Sequence, residues 1–215
     1  MASQSLVQTA YTVLKDRIVS GVLAPGALLS ENELAEELQM SRTPVRNAIT
    51  HLESEGFVVS LKNRGVLVKE ISEKETMDMF EATMALLVYT LDVKGERGIA
   101  LHLDMLEECL RKQIEAEEAD DYLSYMRHFL LFIKAVVSSI GNQAMLDTLD
   151  RYADKIVRAA YLNYKNTPYI KHYSANQFNR SLLAALKAGD DEEARRIAKS
   201  FHQSSRSRSA AVSRF

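Results

Sequence analysis

The sequence predicts a mostly α-helical protein in two parts. Residues 1–70 read as a head of three helices closed by a two-stranded hairpin, and residues 71–215 as an all-α antiparallel bundle of about six helices. Three observations carry this prediction. Ser41–Phe57 (SRTPVRNAITHLESEGF) sets apolar residues at helical spacing behind a polar, arginine-bearing start. Phe57–Leu61 and Val66–Lys69 are short apolar, β-branched runs on either side of Lys62-Asn63-Arg64-Gly65. Beyond the junction at Ile71–Ser72 only helical periodicity follows, with breaks at Gly95, Gly98, Gly141-Asn142, Pro168 and Gly189.

Leu6 to Ser20 opens the head, with Val7, Ala10, Val13, Leu14 and Ile18 at helical spacing and Gly21 as the stop. Leu23-Ala24-Pro25-Gly26 is a turn, and Glu31–Gln39 a short helix with Ser30 and Glu33 spaced as a capping box. Ser41 is a good N-cap for the next helix, and Pro44 is tolerated in a first turn, where no intrahelical N–H partner is needed. Val45, Ala48, Ile49 and Leu52 make the stripe to be buried, while Arg42, Thr43, Arg46 and Asn47 lie off it at the N-terminal end. Helix N-termini favour phosphate, and arginine forks onto guanine edges in the major groove. Two short helices across a tight turn at Met40–Ser41, followed by a cationic hairpin, make a winged helix-turn-helix. Gly65 permits a positive φ or a close approach of backbone to a phosphate. A capped core helix with incidental arginines is what Ser41–Ser54 alone would also allow, and the hairpin is what argues against it.

Composition sets bounds on this. The formal net charge is −2, and residues 1–70 hold seven Lys and Arg against eight Asp and Glu, so any DNA affinity depends on where the cations sit and weakens with salt. Cys109 is the single cysteine, which excludes an internal disulfide and suits a reducing compartment. With no secretory signal, twenty-residue apolar span or lipidation motif, a cytoplasmic protein is expected. No nucleophile with a base, catalytic carboxylate pair or phosphate-cradling loop stands at recognisable spacing, so an enzyme is not expected.

The order Tyr11, Leu14, Lys15, Ile18, Gly21, Pro25-Gly26, Leu29-Ser30-Glu31, Glu33-Leu34-Ala35, Ser41-Arg42-Thr43-Pro44-Val45-Arg46, Leu52, Glu55-Gly56 and Gly65 resembles the DNA-binding domain of the GntR family of bacterial regulators. The resemblance covers residues 7–70. It implies DNA contacts from Ser41, Arg42, Thr43 and Arg46, from the wing at Arg64 and Gly65, and from the position of Asn32, where many relatives carry arginine. The helical pattern of 73–207, with Gly141-Asn142 and Leu182–Asp190, resembles the FadR branch, whose C-terminal FCD domain binds effectors and dimerises. Helices are expected near 73–94, 97–119, 120–139, 143–166, 169–187 and 190–207. The Ser/Arg-biased tail SSRSRSAAVSRF reads as a helix end or as an auxiliary phosphate-binding segment.

The second resemblance is broken at its chemistry. The resemblance implies that most such domains hold a divalent metal through an Asp, a His four residues on, and two further His. Here those positions fall on Phe129, Ile133, Asn179 and Phe201, with His202 beside the last. No metal and no cofactor are therefore expected, although His128, His172 and His202 could regroup. An Arg and a Glu of the first bundle helix become Thr83 and Leu87, which makes the interior more apolar. If an effector binds, Thr83, Phe129, Ile133, Tyr152, Asn179 and His202 are the candidate lining, and an apolar or acyl-type molecule is favoured over a small carboxylate. The alternative is a pocket filled by side chains, leaving the bundle only to dimerise. The expected function is a ligand-responsive homodimeric repressor on a near-palindromic operator, and its rival a structural DNA binder without an effector.

Overall fold

The computed structural model describes residues 5–170 and 172–212, with side chains as far as Ser204, and divides into two compact units, residues 1–72 and 73–215. In the first, α1 (Leu6–Val19) starts at Ser5, whose hydroxyl accepts the Gln8 N–H at 3.2 Å. The helix buries Ala10, Leu14 and Ile18, three positions on one side of a 3.6-residue turn. They pack against α3 (Arg42–Ser54), which turns Val45, Ala48, Ile49 and Leu52 inward, as its spacing predicts. Between them in sequence lies α2 (Glu31–Glu37), with Leu34 and Ala35 buried.

Two local devices differ from expectation. Ser30 accepts the Glu33 N–H at 3.4 Å, which is one half of the capping box. Ser41 stands at the N-cap in an extended conformation but makes no side-chain cap hydrogen bond, so the hydroxyl stays exposed at the tip of α3. The reversal between the helices is made at Gln39, which adopts φ +53°, while the Met40 N–H reaches back to the Ala35 carbonyl at 2.9 Å.

The hairpin is part of a larger sheet than the sequence predicts. Val58–Leu61 (β2) and Gly65–Val68 (β3) pair antiparallel, Val58 opposite Val68 and Leu61 opposite Gly65. A third strand, β1 (Leu28–Leu29), pairs on the other side of β3, in the order β1-β3-β2. A two-residue strand with no alternation of its own carries no sequence signal. It exists because the Pro25-Gly26 turn delivers it beside β3, where the Gly26 N–H bonds the Val68 carbonyl at 2.9 Å.

The second unit is helical throughout its described residues: α4 (Glu73–Arg97), α5 (Leu103–Glu118), α6 (Tyr122–Ser138), α7 (Gln143–Asn166), α8 (Ala175–Ala188) and α9 (Asp191–Val212). Helix α6 buries nine of its seventeen residues and packs on α4, α5, α7 and α8, so it is the hub. Three predicted boundaries shift. Helix α4 runs through Gly95, because a helix interior tolerates glycine and here uses it. A Cβ at Gly95 would sit 3.1 Å from Asp191 Oδ2, and that carboxylate is held by Lys94. Helix α5 begins at Leu103, not 97, since Gly98 takes φ +63° and ends α4. Helix α8 begins at Ala175, not 169. Its approach is held out of helix by His172 Nε2, which donates to the Thr167 carbonyl at 2.8 Å, and by Tyr173, whose hydroxyl donates to Asp120 at 2.7 Å. Of the tail, the α9 backbone continues to Val212, while its side chains past Ser204 and residues 213–215 lie outside the described residues.

Candidate nucleic-acid interface and the effector region

Opposite its buried stripe, α3 exposes Arg42, Thr43, Arg46, Asn47 and Thr50. These five sit within one arc of the helix, with Ser41 exposed at its tip and Asn32 exposed on α2. Glu31, at the first position of α2, reaches across to this face. Its Oε2 accepts from Arg46 Nε at 3.0 Å and lies 2.9 Å from the second guanidinium nitrogen, and one nitrogen of Arg42 is 3.9 Å away. Both guanidinium groups stay more than half exposed. A forked side chain held along one edge keeps its remaining N–H groups in a fixed direction, which is what bidentate recognition of a base or phosphate requires.

The wing is fixed to the same helix. Glu53, in the last turn of α3, accepts from the Ser60 N–H at 2.6 Å and the Ser60 hydroxyl at 2.8 Å, tying β2 to the end of the recognition helix. At the tip, Asn63 has φ +58° and the Arg64 N–H bonds the Leu61 carbonyl at 3.0 Å, leaving the Arg64 side chain exposed. Gly65 has φ +101°, and a Cβ there would stand 2.5 Å from the Leu29 carbonyl oxygen. The close approach expected at this glycine is thus one of strand to strand. On the far side of α3, the Tyr11 hydroxyl donates to Glu55 Oε1 at 2.5 Å and Lys15 lies 2.9 Å from Glu55 Oε2, a tie between α1 and α3. Burial, followed by the bond to Glu55, raises the Tyr11 pKa. Sequence reasoning named the outward arginines but missed Glu31, which holds them, and Glu53, which ties the wing to α3. The signal was Glu31 directly after the Ser30 cap.

In the helical unit the six predicted lining residues do not share a cavity. Phe129 and Ile133 are fully buried in packing. Phe129 lies among Phe80, Phe178 and Phe201, with the Phe178 and Phe201 rings stacked at 4.2 Å between centroids. Asn179 is buried and donates to Gln113 Oε1 at 2.6 Å. Tyr152 is half-buried on α7, and the ring of half-buried His202 stands 4.0 Å from Glu81. Of the six, Thr83 alone lines a cavity of about 240 Å³ between α6 and α7. The reason is volume: phenylalanines occupy the centre that small ligating side chains would leave open.

The same rings decide the fit to a metal. At the four positions that the resemblance assigns, Phe129, Ile133 and Phe201 offer no donor atom and Asn179 is engaged with Gln113, so these residues do not fit a divalent ion. The three histidines do not regroup. His128 faces Lys112 and Glu108 of α5, His172 is bound to Thr167, and His202 faces Glu81 of α4. Among the described residues no three His, Cys, Asp or Glu side chains cluster as ligands.

A winged helix-turn-helix with an outward arginine face, joined to an all-helical unit, defines a DNA-binding transcription regulator. Comparison with known proteins gives the family. Residues 6–68 match the bacterial regulatory proteins of the gntR family and residues 78–203, more than half of the chain, match the FCD domain. The protein belongs to the GntR family and carries an FCD domain, and both it and its relatives are regulators, not enzymes. It is 33% identical over 139 residues to the gluconate operon transcriptional repressor of Bacillus subtilis (strain 168), covering 63% of this chain and 55% of that protein. The chain thus spans about half the length of the gluconate operon repressors it matches. To the regulator McbR of Escherichia coli (strain K12) it is 26% identical over 197 residues, 91% of this chain and 88% of that one. Among solved structures, a GntR regulator from Rhodococcus sp. RHA1 superposes with a TM-score of 0.80 at 22% identity, covering 97% of this chain and 99% of that chain. That likeness concerns the fold alone.

Proposed function

We propose that this regulator is a homodimeric repressor that places two copies of α3 in successive major grooves of a near-palindromic operator. Arg42, Thr43 and Arg46 would read or grip the DNA from α3, with Ser41 and Asn32 on the adjoining phosphates. Arg64 at the wing tip, carried by the Gly65 turn, would reach the neighbouring minor groove. The observation that carries this reading is the outward face of α3 with Arg46 and Arg42 drawn to Glu31. Two-fold pairing doubles the weak contact of one head and sets the half-site spacing. The repressor sign is supported by the Bacillus relatives, which are gluconate operon transcriptional repressors. No described helix is long and apolar enough to cross a membrane, and the cytoplasm is where such a protein meets its DNA.

Gel-shift on the DNA upstream of its own gene, with footprinting to find the protected sequence, is the test. Arg46→Ala should cost about tenfold or more in operator affinity, since a bidentate contact is worth roughly 1–3 kcal/mol. It should leave the melting temperature within a few degrees. Unchanged affinity would rule out this docking. Protection without sequence preference would favour the structural DNA binder.

The phenylalanine packing around Phe129 favours a second reading for the helical unit, in which the interior is closed and the unit serves dimerisation only. Under the first reading a small molecule bound to this unit changes operator affinity, and the two are linked. No metal or cofactor is assigned to either. A screen for molecules that raise the melting temperature separates them, because a ligand of the native state stabilises by mass action.

A further inference from the structure

We infer that the ligand site of this protein is the cavity between α6 and α7, and that it takes a small, uncharged, largely apolar molecule bearing one hydrogen-bond donor. The inference rests on the reading that the helical unit binds an effector, and it moves the site. The cavity lies on the face of α6 that carries Leu130 and Leu131, not the face of Phe129 and Ile133 where the family resemblance places the ligand.

Its walls give the chemistry. Leu130 and Leu131 from α6 and Leu149, Ala153, Ile156 and Val157 from α7 supply an almost wholly aliphatic lining. An apolar cavity of about 150 Å³ already takes benzene. At about 240 Å³ this one has room for a two-ring aromatic or an aliphatic chain of similar bulk. The charged groups at the wall are two of each sign, Arg127 and Lys134 against Asp150 and Asp154, and Lys134 pairs with Asp150. A balanced set gives no net field to hold a carboxylate or a phosphate, which excludes an acyl-CoA headgroup as the anchor. Thr83 is the one uncharged polar side chain in the wall. It is 2% exposed, and its hydroxyl donates to the Met79 carbonyl at 2.9 Å, so its oxygen has only acceptor capacity left for a ligand. A hydroxyl or ring N–H on an otherwise apolar body is the group that matches.

Indole is the probe, because the chain contains no tryptophan and indole emission, excited beyond the tyrosine absorption, can be followed without a tryptophan background. Titrated with the purified protein and no DNA, indole should bind saturably with a blue shift, and naphthalene, which lacks the donor, more weakly. Ala153→Phe fills the cavity and should weaken both at least tenfold while the circular dichroism stays that of the parent. Thr83→Val keeps the shape and removes the acceptor. It should weaken indole about three- to tenfold, the range of one neutral hydrogen bond, and naphthalene less than twofold. If Ala153→Phe does not fold, this indole-to-naphthalene contrast still decides. The proposal is overturned by absent saturation, by parental affinity in Ala153→Phe, or by equal losses for both probes in Thr83→Val. Indole affinity that falls as protein concentration rises would assign the cavity to a second copy of the chain and overturn it too. With no DNA present, failure here leaves the operator reading intact, and failure at the operator leaves this site intact.

Discussion

The two units handle polar side chains in opposite ways. In the head, the ionic groups of functional interest stand outside the fold and are steadied by carboxylates from neighbouring elements, Glu31 for Arg42 and Arg46 and Glu53 for the wing. In the helical unit, the positions where the family resemblance placed ligating groups are Phe129, Ile133 and Phe201, and they are spent on packing. A surface that must meet a polymer of fixed geometry constrains residue identity. An interior that must only be full accepts any set of side chains with the right volume. The head therefore sets its polar groups outward while the bundle centre is filled by side-chain volume.

The largest effect is expected where that packing is densest. Phe129→Ala removes a ring that contacts Phe80, Phe178 and Phe201, and should destabilise by roughly 3–5 kcal/mol in denaturant unfolding. If the bundle merely tolerates Phe129, with an open site collapsing around it, the loss would be under about 1 kcal/mol and the contrast between the units would fail. In the head the corresponding break is backbone, not volume. Gly65→Ala forces a methyl against the Leu29 carbonyl at 2.5 Å in a left-handed conformation, and should cost about 2–4 kcal/mol and abolish the operator complex. A tolerated alanine would show that β1 is free to part from β3.

The same contrast explains how much the sequence revealed. Ser41-Arg42-Thr43-Pro44-Val45-Arg46 announces a recognition helix because cap, buried stripe and outward cations are all local, and the structure shows each near where the spacing puts it. Strand β1 was not legible, since Leu28 and Leu29 pair only by the accident of what β3 offers them. Nor was the role of Glu31, which depends on a partner fifteen residues away across a turn. In the bundle, helix number followed from periodicity, but the hub at α6 and the cavity did not. Leu131 and Ala153 belong to different helices, and no one-dimensional pattern says which face of α6 is left unfilled.

The smallest effect bears on the bundle's surface. His128 on α6 is half-buried against α5. Burial is the main cause lowering its pKa and Lys112 adds to it, while Glu108, Asp121 and Glu115 act the other way. The unfolded chain, at the ordinary histidine value near 6.5, therefore takes up a proton at a higher pH than the folded one. The stability it contributes is fully present above about pH 6.5 and is lost as pH falls below that toward the lowered value. Glu108, brought down to about 2 by its bonds to Arg111 and Lys112, and Asp120, lowered by the hydroxyls of Tyr173 and Tyr164, titrate below this window. Because His128 is only half-buried and solvent screens it, the fall in melting temperature between pH 7 and pH 5.5 that it causes should be on the order of 1 °C. His128→Gln should remove that part of the slope. A slope that steepens in the variant would mean that Glu108 and Glu115 govern this face, and that the bundle's surface is organised by ion pairs as the head is.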